Sequence, residues 1–258
     1  MKTRAFHVDV DCAQLSKEGC QVCGDVFLSR RIKEEDRIIA VMSDGLGSGI
    51  KANVLATLTA SMAVTFTLEK QPIDRTAQII MSTLPVDSKR QISYATFTII
   101  DIESGGETRI IEFDNPAWML IRNGRVIEIE KERVNVVLEG GRARQMYLSH
   151  FTLERDDRVV MVSDGVTQSG IGTNDMPFGY GDDSIREFIC NRIIEDPTVS
   201  AHELAKVVIR KSNANDIYKP QDDISCAVIH FREPRRLMVC SGPPYDEIRD
   251  KLLAEMVS

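Results

Sequence analysis

Two stretches of this chain end in the same way, and the repetition narrows what it can fold into. Arg37–Ser43 (RIIAVMS) and Arg158–Ser163 (RVVMVS) are short, β-branched apolar runs, and each breaks off in Asp-Gly. Runs of this length and composition read as buried strands. An Asp-Gly at the end of such a strand leaves a carboxylate at the rim and hands the chain to a flexible backbone, whose glycine lets a carbonyl turn toward a bound ion. Taken singly, an Asp beside a Gly is more often a turn or a helix cap. Here Asp44 and Asp164 sit in matching positions, and two further acidic sites adjoin strand-like runs: Asp25 before VFLS, and Asp222-Asp223 before ISCAVIHF.

The flanking texture assigns these strands to a mixed architecture. After Asp44 come a glycine-rich turn, Gly45–Gly49, and a helical pattern over Ile50–Glu69; a second helix is expected over Ile73–Leu84, starting near Pro72. From Ser93 the chain turns β: YATFTIID, TRIIEF, AWMLIRNG and RVIEIE are separated by turn signals, and Asn123-Gly124 marks a hairpin. Strands follow at Gln145–Leu153 and Arg158–Ser163, helices at Ser184–Ile194 and Ala201–Asn213, and a last core strand at Ile224–Phe231. Helices before and after a block of mostly antiparallel strands predict an α+β fold: a four-layer α-β-β-α sandwich of two sheets flanked by helices. A simple Rossmann alternation is excluded. After Pro234 the pattern restarts as a strand, a turn and a helix, so 234–258 reads as an extension, either the start of a second unit cut short or a terminal helix docked on the core.

Composition limits the function classes. The net charge of −7 comes with dispersed basic residues, which argues against a nucleic-acid footprint. The start, MKTRAFHVDVDC, is interrupted by His7, Asp9 and Asp11, and no run of eighteen apolar residues occurs, so neither signal peptide nor membrane span is expected. Six irregularly spaced cysteines suggest reduced thiols and a cytoplasmic location. Cys20 and Cys23 form one CxxC, without the second pair that a four-thiolate zinc site needs. The histidines His7, His150, His202 and His230 lack ligand spacing.

Gathered carboxylates raise each other's pKa unless a cation neutralises them. An all-oxygen set favours Mg²⁺ or Mn²⁺, and two such ions about 3.5–4 Å apart could aim a water in line at phosphorus.

The segments VCGDVF (22–27), VMSDGLGSG (41–49), YATFTIID (94–101), FDNPAWMLIRNG (113–124), VMVSDGVTQSG (160–170) and QDDISCAVI (221–229) together resemble the metal-dependent protein phosphatases of the 2C type, in their SpoIIE-like bacterial branch. The resemblance covers residues 5–232 and implies a phosphatase domain over 1–233. It implies a metal role for Asp25, for Asp44 as the residue bridging two ions, for the Gly45 carbonyl, for Asp164 and for Asp222, with Asp223 in support. It further implies Mn²⁺- or Mg²⁺-dependent hydrolysis of phosphoserine or phosphothreonine on a signalling protein, such as an anti-sigma antagonist. The arginine that holds phosphate in eukaryotic members has no counterpart beside Lys17 and Glu18, and the short segment after Asp164 leaves no room for a large flap. Gly170–Asp183 is expected as a mobile loop.

Other readings are weaker. A regulatory module that keeps the fold but lacks turnover remains the alternative, against which stand the intact acidic positions. Gly45–Gly49 fits neither a P-loop nor GxGxxG, and Asp9-Val10-Asp11 lacks the context of a haloacid-dehalogenase nucleophile. Oligomeric state is open from sequence.

Overall fold

The computed structural model describes residues 7–71, 73–83, 95–137 and 143–232. One five-stranded sheet has the order β1 (His7–Leu15), β11 (Ile224–Arg232), β10 (Arg158–Val162), β6 (Met119–Arg122), β7 (Arg125–Ile127). The other, six-stranded, has the order β2 (Val26–Ile32), β3 (Arg37–Gly45), β4 (Ala95–Ile102), β5 (Glu107–Phe113), β9 (Ala143–Thr152), β8 (Glu132–Val137). Every neighbouring pair is antiparallel. Helices α1 (Gly49–Leu68) and α2 (Ile73–Thr83) cover the six-stranded sheet. The single turn α3 (Asp164–Thr167), with α4 (Asp182–Glu195) and α5 (Ala201–Asn215), covers the other.

The two runs that opened the sequence reading are continuous because both of their faces are buried, an arrangement more usual in parallel sheets. Ile39 and Val41 of β3 meet α1 and α2, whereas Ala40 and Met42 point between the sheets. In β10, Val160 and Val162 meet α4 and α5, and Val159 and Met161 point inward. The layers are therefore helix, sheet, sheet, helix, as expected. By length and composition α1 could cross a membrane, with a mean hydropathy of 1.2. Here its small side chains, Ala52, Ala56, Ala60 and Ala63, are buried and let it approach β3, and Ile50, Val54 and Leu58 remain exposed.

Three elements differ from expectation. Strand β1 is an edge strand whose Val8, Val10 and Cys12 pack inward, while Asp11 turns outward to His202 Nδ1 at 3.2 Å. The charges that break its hydrophobicity are the polar face of an alternating strand. Strand β8 pairs with β9 in residues whose charge hid the pattern. Asp182 and Asp183 form the first turn of α4, where negative charge complements the helix dipole. The proposed 234–258 extension and the expected helix end at Leu84 lie outside the described residues.

Candidate metal centre

Strand register brings the acidic residues together. Val26 of β2 lies opposite Ser43 of β3, so the next residue on each side, Asp25 and Asp44, stand side by side at one rim of the six-stranded sheet. In the other sheet Val162 lies opposite Cys226, which leaves Asp164 next to the approach of Asp222 and Asp223. Hydrogen bonds fasten the two rims. The Ser163 N–H donates to Ser225 O at 3.0 Å, and the Ser225 N–H donates to Ser163 Oγ at 2.9 Å. Ser225 Oγ then donates to Asp25 Oδ2 at 2.6 Å while accepting from Gln14 Nε2 at 3.0 Å. Gln14 also reaches Asp25 O at 3.1 Å. Thus β1 and β11 of one sheet hold a carboxylate that belongs to the other.

The glycines of the two Ser-Asp-Gly triplets have a role that the sequence did not suggest. Neither has a positive φ. A Cβ on Gly45 would lie 2.0 Å from the carbonyl oxygen of Ala52, and one on Gly165 would lie 2.1 Å from the carbonyl oxygen of Asp223. Real Cβ atoms never come so close, so both positions are glycine because another backbone presses on them. Gly45 admits the first turns of α1 beside Asp44, and Gly165 admits the start of β11 beside Asp164.

Electrostatics follow from this crowding. Asp25 is only 3% exposed; burial raises its pKa to about 7 against the pull of the Ser225 and Ser163 hydroxyls, and the charge of Asp223 adds to the rise. Burial raises Asp44 to about 9, followed by repulsion from Asp25 and Asp164. Asp164 is raised by burial and then by Asp222. Asp25 and Asp44 are close enough to act on each other directly. Among the described residues no three His, Cys, Asp or Glu side chains are gathered tightly enough to hold one ion.

In donor chemistry the set still fits hard divalent cations, since every facing group is oxygen. Asp222 and Asp223 differ in engagement. Asp223, 3% exposed, accepts the Lys17 N–H at 3.0 Å; among the described residues half-buried Asp222 accepts only the neighbouring Asp223 N–H at 2.9 Å. Cys23 adjoins the site, 3.9 Å from Ser225 Oγ, but burial and the charges of Asp25 and Asp223 push its thiol up to about 12. It is therefore no thiolate at neutral pH. Gln14, Ser163 and Ser225 were not singled out from the sequence; small polar residues inside apolar strands at VMVS and ISCAV were the available signal.

Solved structures share this arrangement of layers. The phosphatase domain with a regulatory fragment of SpoIIE from Bacillus subtilis superposes with a TM-score of 0.71 at 16% identity, over 90% of this chain and 66% of that one. The RsbU and RsbW domains of a Mycobacterium tuberculosis protein give 0.67 at 13% identity, over 90% and 63%. RsbX in complex with magnesium gives 0.57 at 15%, over 87% and 96%. This chain thus spans just under two thirds of the first two. The two-sheet sandwich is the PP2C phosphatase fold. Residues 34–232, well over half of the chain, match the family described as stage II sporulation protein E, and the chain belongs to that SpoIIE family. Among curated proteins, no sequence matches it.

Proposed function

We propose that this chain removes phosphate from phosphoserine or phosphothreonine on a partner protein, with Mn²⁺ or Mg²⁺, two ions, held by Asp25, Asp44, the Gly45 carbonyl, Asp164 and Asp222, and with Asp223 in support. The observation that carries the reading is the meeting of carboxylates from both sheets at one rim, where their charges are left in mutual conflict. Bound there, divalent cations would neutralise the carboxylates, lower the pKa of water and draw charge from a phosphoryl group. The chain's own residues hold the geometry. Ser225 and Gln14 fix Asp25, the end of β3 aims Asp44, and α3 opens on Asp164, whose Oδ2 accepts from Gln168 Nε2 at 3.2 Å. Magnesium in the RsbX complex supports a hard cation on this fold.

A protein substrate is supported by apolar side chains exposed beside the site. Phe178 is 91% exposed and precedes Gly179, whose added Cβ would lie 2.9 Å from Gln168 Cα, one contact away from Asp164. Tyr218 is 72% exposed on the turn leading to Asp222. Asp216 ties that turn to the Phe178 loop, accepting the Gly170 N–H at 2.6 Å. An anti-sigma antagonist-like phosphoprotein fits the SpoIIE-like resemblance. A cytoplasmic setting is supported by Cys12, Cys20, Cys23, Cys190 and Cys226, all free thiols.

The test is hydrolysis of p-nitrophenyl phosphate and of a phosphoserine protein by wild type and Asp44→Asn, with Mn²⁺ or Mg²⁺ supplied or chelated. Wild type should require metal and Asp44→Asn should lose at least about a hundredfold in kcat. Full activity in Asp44→Asn would overturn the metal reading, and a folded but inactive wild type would favour a binding module.

A further inference from the structure

At the opposite end of β10 from Asp164, a cavity of about 360 Å³ opens between the Asn123-Gly124 turn, Asp156, Arg158, Ile193 and Ile194 of α4, and Pro197. Six residue steps along β10 and Ser163 take the chain from Arg158 to Asp164, roughly 20 Å at the rise of an extended chain, so the cavity is distinct from the carboxylate centre. Its volume falls within the range of small-molecule sites.

Arg158 is 3% exposed, yet among the described residues no carboxylate lies within salt-bridge distance of it; Asp156 and Asp196 act on it only at longer range. Its guanidinium donates only to carbonyls: Nη1 to Asp156 O at 3.3 Å, and Nη2 to Pro197 O at 2.7 Å and Val199 O at 3.4 Å. Nε has no acceptor. Two more basic groups share this face. His230 is the cross-strand partner of Arg158, and its Nδ1 accepts from Arg232 Nε at 2.9 Å. A neutral imidazole in that arrangement carries its proton on Nε2, which also lacks a partner, as does Arg232 Nη2. Burial and the charges of Arg158 and Arg232 keep His230 neutral, with its pKa lowered to about 3. The nearby carboxylate, Asp156, is half-exposed, lies 3.8 Å from His230 Nε2 and is engaged by Arg155 Nε at 3.3 Å.

Buried cations are normally neutralised and buried donors normally satisfied; here Arg158 Nε, in the cavity lining, and His230 Nε2 and Arg232 Nη2 on the same sheet face each lack an acceptor. We propose that this cavity is a binding site for a small organic anion, whose carboxylate or phosphate meets Arg158 and whose apolar body lies against Ile193, Ile194 and Pro197. The mixed lining decides the class. A bare inorganic ion would leave the isoleucine wall unused, and a neutral ligand would leave the cation unpaired.

Calorimetric titration of the full chain, freed of metal so that the carboxylate centre has no affinity for anions, tests this. The probes are phenylphosphonate and benzoate, with neutral benzamide as control. Both anions should bind and benzamide should not. Arg158→Met and Ile194→Trp, the latter filling the cavity from an exposed position, should each weaken binding by about tenfold or more. Folding of each variant is checked by its melting curve; should Arg158→Met fail to fold, Ile194→Trp decides alone. Absence of binding to wild type at ~10 mM anion, benzamide binding as well as benzoate, or unchanged affinity in a folded variant would each overturn the proposal.

Discussion

Asp25 and Asp44 bind a proton more tightly in the folded chain than an unfolded carboxylate does, whose pKa is about 3.9. Between that value and the folded values of about 7 and about 9, the folded state holds more protons than the unfolded one, so the metal-free protein loses stability as pH rises. The penalty is absent below about pH 4 and complete above about pH 9. Melting temperatures of metal-free wild type should therefore fall from pH 5 to pH 9 more steeply than those of Asp44→Asn, and added Mn²⁺ should reverse the fall. Parallel profiles would show that Asp44 carries no such proton. The acidic residues themselves could be read from the sequence, because Asp-Gly after a buried run is a local pattern. Their hydrogen-bonding supports could not. Ser225 matters through Asp25, two hundred positions away, and no local signal marks so distant a contact.

At the scale of elements, Gly45 sets how closely α1 approaches the rim of β3. In Gly45→Ala the new methyl group would meet the Ala52 carbonyl oxygen at 2.0 Å, so the start of α1 must move. Overpacking of this kind costs about 1–3 kcal/mol. We expect a lowered melting temperature and an increase of about tenfold or more in the Mn²⁺ concentration for half-maximal activity, since Asp44 would shift with its neighbour. An unchanged metal requirement would separate α1 from the centre. The strands and helices themselves were largely legible, because hydrophobic period and turn chemistry are local. Strand β1 escaped because an edge strand needs only one apolar face. Asp182 and Asp183, expected within a loop, open α4 instead.

Over the whole molecule, the buried Arg37–Asp101 pair, with its contacts at 2.7 and 2.9 Å, locks the six-stranded sheet at the end remote from the metal centre, and Arg37 Nη2 ties it to the end of α1 through Thr67 O at 2.8 Å. Asp101→Asn removes the buried counter-charge and leaves that guanidinium only the part-exposed Glu35, 3.4 Å from Nη1. A loss of about 3–5 kcal/mol in unfolding free energy is expected, measurable by denaturant titration with the metal requirement unaltered. At the carboxylate rim, the proposed function predicts that exposed aromatic side chains serve a protein substrate alone. Phe178→Ser and Tyr218→Ser should each reduce kcat/KM for a phosphoprotein by about tenfold, the size of an interface hot spot, and leave p-nitrophenyl phosphate turnover unchanged; an equal loss on both substrates would assign them to the centre itself. By itself the sequence determined the two-sheet class and the matching acidic ends of two core strands, since periodicity and Asp-Gly are properties of neighbouring residues. Only the tertiary structure decided which carboxylates meet, why Gly45 and Gly165 can carry no side chain, and where Arg158 is buried with its Nε unpaired. Each of these depends on backbones brought together from distant parts of the chain by strand register and layer packing.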